Sequence, residues 1–170
     1  MKILDRLPLS ERRSEVWAPD GLVTVKPYQI IVTVSLGARE LVEPDPGLPR
    51  FPAILDTGNN HNFAISEPHL RTWARITLAG PRSHIRVQGR RVPLINAGLW
   101  LFPNEPGQVA ASGRPPTRSA LPEGIAVYPE DLSSPARLPI LGLRALVTNR
   151  LRLIINGKRR TVTLKTPGWF

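Results

Sequence analysis

Three adjacent residues, Asp56, Thr57 and Gly58, carry the chemistry most legible in the chain. They follow the apolar run Phe51-Pro52-Ala53-Ile54-Leu55, which ends abruptly at the carboxylate. A short apolar run closed by turn residues reads as a buried strand. A carboxylate at the mouth of such a strand is costly unless its charge is hydrogen-bonded or used. The Thr57 hydroxyl can donate and accept beside it, and Gly58 gives the backbone freedom for a tight turn. Asp, Thr and Gly are also good turn chemistry, so a plain strand-end turn is the simplest alternative.

Other groups offer less. His61, His69 and His84 match no compact metal-ligand spacing and fall in an expected loop, helix start and strand, so no metal site is read from them. The chain has no cysteine, which excludes disulfides and thiolate metal sites. There is no nucleophile elbow around a serine and no glycine-rich phosphate loop.

The elements that would position Asp56 can be read in order. Residues 1–21 look polar and irregular, an N-terminal arm whose Trp17 is expected to dock on the body. From Leu22 to Leu36 apolar and polar residues alternate as in a half or wholly buried strand. Glu43 to Pro49 is a loop that returns the chain into the Phe51–Leu55 strand, so the two runs are expected to pair as a hairpin. Phe63-Ala64-Ile65 is a short strand. Ser66-Glu67-Pro68 is a helix start with a capping hydroxyl, an early acid and a first-turn proline. A second hairpin, Ile85–Val87 with Val92–Phe102, turns around Gln88-Gly89-Arg90-Arg91. Pro103 to Thr117 reads as a long loop, Gly124 to Tyr128 as a strand, and Glu130 to Arg137 as loop. Leu143–Val147 reads as a helical turn or two. Leu151–Ile155 and Thr161–Leu164 flank Asn156-Gly157, a strong hairpin signal. The terminal pair Trp169-Phe170 is expected to pack on a nearby apolar surface or fray.

A second signature sharpens the reading of Asp56. Leu138-Pro139-Ile140-Leu141-Gly142-Leu143 places two apolar residues and a glycine before the helix. Together with Asp-Thr-Gly after an apolar strand, it resembles the paired signatures of the retroviral-type, or retropepsin-like, aspartic proteases. The resemblance spans roughly residues 22–166, though only the two signatures are specific. It implies a mainly β fold, a closed or partly closed β-barrel with one or two short helices. The chain would be an arm over 1–21 and a single domain over 22–168, with a loop insertion at about 103–139. It implies that Asp56 is catalytic, that Thr57, Gly58 and Asn59 complete its loop, and that Ile140, Leu141 and Gly142 pack beneath it. Asn59 stands where the family usually carries Ala or Ser. By the same likeness a mobile hairpin over about 84–97, with Gln88, Gly89 and Arg90 at its tip, would be a flap over a peptide or protein substrate. The alternative is that this hairpin belongs to the rigid sheet.

Peptide hydrolysis of this kind needs two carboxylates, one taking a proton from water and one giving a proton to the scissile carbonyl. The chain carries one Asp-Thr-Gly, so the expectation is a homodimer with one Asp56 from each copy at the two-fold axis. No cofactor is implied. The alternatives are an inactive dimerisation or peptide-binding module of the same fold, or a basic nucleic-acid binder.

The formal charge of +10, from 23 basic and 13 acidic residues, bears on that last alternative. The arginines are scattered or paired, as in Arg12-Arg13, Arg90-Arg91 and Arg159-Arg160, without a basic block interleaved with aromatics. The charge is read as solvated surface, and nucleic acid is not the expected partner. Residues 1–10 hold no apolar core of signal-peptide length, and no stretch is long enough to span a bilayer. The expectation is a soluble cytoplasmic protein.

Overall fold

The computed structural model describes residues 1–80, 82–104, 109, 113–130 and 138–168. Fourteen strands and two short helices occur among them. They are β1 (Lys2–Pro8), β2 (Ser14–Ala18), β3 (Gly21–Val25), β4 (Ile30–Gly37), β5 (Phe51–Asp56), β6 (Phe63–Ser66), α1 (Glu67–Thr72), β7 (His84–Val87) and β8 (Arg90–Ile95). Then come β9 (Gly98–Leu101), β10 (Thr117–Ser119), β11 (Ile125–Tyr128), β12 (Ile140–Gly142), α2 (Leu143–Thr148), β13 (Arg152–Asn156) and β14 (Thr161–Lys165). The protein is mainly β, as the sequence predicts.

Nine strands form one sheet in the order β10-β9-β4-β5-β12-β6-β11-β8-β7. Its outer strands, β10 and β7, do not pair with each other among the described residues, so the sheet is open and no closed barrel forms. β4 and β5 pair antiparallel, Ile30 opposite Leu55 and Val34 opposite Phe51, which is the expected hairpin. Every residue of β4 is buried, so both of its faces are covered. The main core includes Val32, Val34, Phe51, Phe63, Trp73 and Leu141. A separate small cluster of Ala64, Val92, Ala126 and Ile140 is flanked by Ile85 and Leu94.

The chain start departs from the expected irregular arm. β1 pairs antiparallel with β14, and β14 with β13, in a three-stranded sheet. Ile3, Leu4 and Leu7 are buried in the main core. The pairing slips in register between Lys2 and Leu4 and again between Leu4 and Leu7, and Arg6 has φ of 52°. Such bulges re-aim side chains and destroy the period-two alternation by which a strand is recognised. The Asn104 side chain stitches this irregular strand. Its Oδ1 accepts from the Asp5 N–H at 2.7 Å and its Nδ2 donates to the Asp5 carbonyl at 2.7 Å.

Three other expectations change. Leu22–Leu36 is two strands, because Pro27 lacks a backbone donor and Tyr28 adopts φ of 62° between β3 and β4. Val92–Phe102 is also two strands: β8 pairs with β7 and β11, whereas β9 pairs with β4 and β10 elsewhere in the sheet. Trp17 does not dock; its side chain is 76% exposed, opposite Leu22 on the β2–β3 hairpin. The expected loops hold one more strand, β10, inside 103–139. The expected loop segment 131–137 and the Trp169-Phe170 pair lie outside the described residues.

The two helices begin as the sequence predicts. The Ser66 hydroxyl accepts from the His69 N–H at 3.3 Å and caps α1, with Pro68 in the first turn. The α2 helix begins directly at the end of β12. Among the described residues no helix is long and apolar enough to cross a membrane.

Candidate active site

Asp56 is the last residue of β5, and the turn after it is built on its own carboxylate. Oδ1 accepts from the Gly58 N–H at 2.8 Å, and the Asp56 carbonyl accepts from the Asn59 N–H at 3.2 Å. Asn59 repeats the device one step on, its Oδ1 accepting from the His61 N–H at 2.9 Å. These side-chain bonds to following backbone amides are turn chemistry and fix the loop. They leave Asp56 half-buried and Thr57 and Gly58 exposed at the tip.

The second signature lies against this loop. β12 pairs in parallel with β5, placing Ile140 beside Ile54, Leu141 beside Leu55 and Gly142 beside Asp56. The Ile54 N–H donates to the Pro139 carbonyl at 2.8 Å and extends the pairing. Past the end of β12 the loop and the helix start interlock: Gly142 N–H donates to the Asn62 carbonyl at 3.0 Å and Leu143 N–H to the Asn59 carbonyl at 2.8 Å. A Cβ on Gly142 would stand 2.8 Å from the Asn59 carbonyl oxygen and would collide with that of His61. Only glycine lets the two backbones approach this closely. Ile140, Leu141 and Gly142 are thus brought together with the loop of Asp56, Thr57, Gly58 and Asn59.

The hairpin of β7 and β8 turns at Gln88 and Gly89, with φ of 50° and 78°, and Arg90 begins the return strand. Two positive φ values in a two-residue loop suit the right-handed twist of the strands. Its base is part of the sheet, Leu94 and Ile95 pairing with Ala126 and Ile125 of β11. Its tip reaches beyond that pairing. A cavity of about 250 Å³ separates the hairpin from the loop, with Ile85, Arg86 and Leu94 on one side and His61, Asn62 and Phe63 on the other. Asp56 does not line it. The sequence alone gave no signal for Arg86, which lines the cavity, or for Asn62, whose Oδ1 is buried without a hydrogen-bond partner. Arg144, also on this cavity, is ion-paired with Glu123.

The histidines do not converge. Burial, and secondarily the Arg144 guanidinium, holds the His61 imidazole below its ordinary value. Burial also lowers His69, a shift that the Asp20 carboxylate opposes. His69 stacks on Trp73 with ring centroids 3.8 Å apart, while His84 opens β7. Among the described residues no group of three or more His, Asp or Glu side chains could hold a metal ion.

No protein-family model, no curated protein and no solved structure matches the chain.

Proposed function

We propose that the chain is one subunit of a homodimeric aspartic endopeptidase of retropepsin-like fold, with Asp56 of each copy forming the catalytic pair. The observation that carries this reading is the parallel pairing that sets Gly142 beside Asp56. It joins the two sequence signatures into one backbone unit and leaves Thr57 and Gly58 exposed at the tip, where a second copy can meet them. A strand-end turn alone would not require that interlock.

Two carboxylates held close cannot both ionise easily, so they share a proton and titrate as a unit. The ionised one takes a proton from water as the water oxygen attacks the scissile carbonyl carbon. The protonated one gives its proton to the carbonyl oxygen. Collapse of the tetrahedral species then breaks the C–N bond, with a proton passing to the leaving amine. Protein atoms and water suffice, and no cofactor is required. The β7–β8 hairpin, beside the cavity at the loop, is the candidate flap over the substrate.

Exposed apolar side chains offer a candidate dimer seam. β13 is an outer strand of its sheet, and Ile155 on it is 59% exposed, as is Val147 on α2 at 68%. Unpaired strand edges with apolar side chains are templates for pairing with another chain. The test is cleavage of a peptide library by wild type and by Asp56→Asn, with a statine-containing peptide as inhibitor. Sedimentation on the same samples gives the oligomeric state. Equal cleavage by both proteins, or cleavage by a strictly monomeric species, overturns the reading.

A further inference from the structure

Basic side chains gather around the β7–β8 hairpin. Between Glu67 and Glu105 the sequence has no Asp or Glu, and Arg71, Arg75, Arg82, Arg86, Arg90 and Arg91 all fall in that interval. Three of these arginines converge. A recess of about 430 Å³ is lined by Arg82, Ser83, His84, Ile85, Arg86 and Arg91, with no carboxylate among the described residues of its walls. Arg86 and Arg91 face each other across the strand pair. Arg91 Nη2 lies 3.5 Å from His84 Nδ1, and the buried Nε of Arg82 has no hydrogen-bond partner. Glu123 lines the cavities on either side of this recess, but its carboxylate is engaged by Arg144.

Like charges opposite one another on a strand pair are destabilising. An arrangement of this kind is relieved by an anion, and guanidinium groups bind carboxylates through paired N–H donors. The neighbouring backbone indicates which anion. β7 is the outermost strand of the nine-stranded sheet, so among the described residues one of its edges is open to an extended chain that adds as a further strand. Ile85 and Arg86 line both this recess and the cavity beside the Asp56 loop. A polypeptide leaving that cavity along β7 would carry its side chains into the recess. Nucleic acid would call for a row of phosphate contacts and aromatic stacking platforms, and no Phe, Tyr or Trp lines the recess.

We infer that the recess of Arg82, His84, Arg86 and Arg91 is a binding site for the carboxylates of an acidic peptide segment, held in extended form along β7. The choice of a peptide over other anions rests on the endopeptidase reading; the anion site itself does not.

The experiment uses the full chain carrying Asp56→Asn, so that binding is read without hydrolysis. Fluorescence anisotropy follows a labelled Glu-rich decapeptide, a Gln-rich decapeptide of the same length, and a labelled oligothymidylate. The Glu-rich peptide is expected to bind at least tenfold more tightly than the Gln-rich one and to weaken as salt is raised. Adding Arg86→Gln and Arg91→Gln should raise its Kd tenfold or more, with the thermal melt reporting that the variant is folded. Arg91→Gln alone, at an exposed position, gives a smaller loss in the same direction should the double variant be unfolded. Equal affinity for the Glu-rich and Gln-rich peptides, or binding unchanged by these variants, overturns the site. Tighter binding of oligothymidylate, competitive with the peptide, reassigns it to phosphate and overturns the peptide claim. Library cleavage by wild type without acidic preference would remove only this site. Acidic-peptide binding with no cleavage by wild type would remove only the peptidase.

Discussion

Gly142 stands beside Asp56 in a parallel strand pair, and the residue after it, Leu143, donates its N–H to the Asn59 carbonyl at 2.8 Å. The catalytic candidate and the glycine signature are therefore one backbone unit, and a change in either is felt in the other.

Gly142→Ala tests that unit directly. Its Cβ would be forced against the Asn59 and His61 carbonyls, backbone atoms that cannot swing aside. Overpacking of this kind costs about 1–3 kcal/mol, and the displaced loop should reduce peptide cleavage more than stability. Gly157→Ala has nothing within 4 Å of the new Cβ and should stay within about 0.5 kcal/mol of wild type. Urea denaturation and a cleavage assay on both variants check this.

Asp56→Asn keeps an oxygen that can accept from the Gly58 N–H. It should fold with a loss of only about 1 kcal/mol, while hydrolysis falls by about 100-fold or more. Asp56→Ala removes the acceptor as well and should be the less stable of the two.

Ile155→Lys places a charge on the exposed edge of β13. Charged residues on edge strands oppose strand pairing between molecules. The variant should fold with near wild-type thermal stability, dissociate at a higher concentration than wild type in sedimentation, and lose activity on dilution sooner.

Stability should fall as the solution is acidified. The imidazoles of His61 and His69 are both held, chiefly by burial, below the ordinary value of 6.5. At neutral pH both folded and unfolded chains carry these groups uncharged, and they contribute nothing. Below about 6.5 the unfolded chain takes up protons that the folded chain resists, so stability declines until the folded value is passed. The carboxylate of Asp5 acts later: its bond to Lys2 lowers it below 3.8, and that contribution is lost only in stronger acid. The urea midpoint should be lower at pH 5.5 than at pH 7.5. In His61→Asn with His69→Gln the difference should shrink.

Asn104→Ala would leave the Asp5 N–H and carbonyl without their side-chain partner. Asn104 is 3% exposed and bonds both groups at 2.7 Å. Losing two hydrogen bonds in this part-buried setting costs about 1 kcal/mol, and amide exchange at Asp5 should accelerate.

The legible part of the fold followed from regular local signals. The Phe51–Asp56 strand announced itself by an unbroken apolar run and the α1 start by Ser66 and Pro68, whereas the placing of residues 140–142 beneath the Asp56 loop came from the family resemblance alone. What was not legible lies where the backbone breaks its own period. β1 hides behind its register slips around Leu4 and Arg6. Leu22–Leu36 looks continuous because alternation survives across the left-handed Tyr28. The stretch after Val92 reads as one strand because its apolar residues continue to Phe102, and only Asn96 and Gly98 mark the break at residues 96–97 after which β9 crosses to pair with β4. At the β13–β14 hairpin Asn156-Gly157 predicts the right place, but Asn156 pairs with Thr161. The connection is four residues long, with Arg160 at φ of 51°. The arginine recess depends on which side chains two strands place together, and no linear spacing displays that.

The parallel contact between β5 and β12 sets an order on biogenesis. During synthesis Asp56 emerges well before Gly142, the residue it stands beside in the β5–β12 pair. Pairings between distant segments wait for loop closure. The acid-bearing turn therefore remains unfinished on the ribosome until the segment carrying Gly142 has emerged, and a growing polypeptide holds the Asp56 carboxylate without its β12 neighbour.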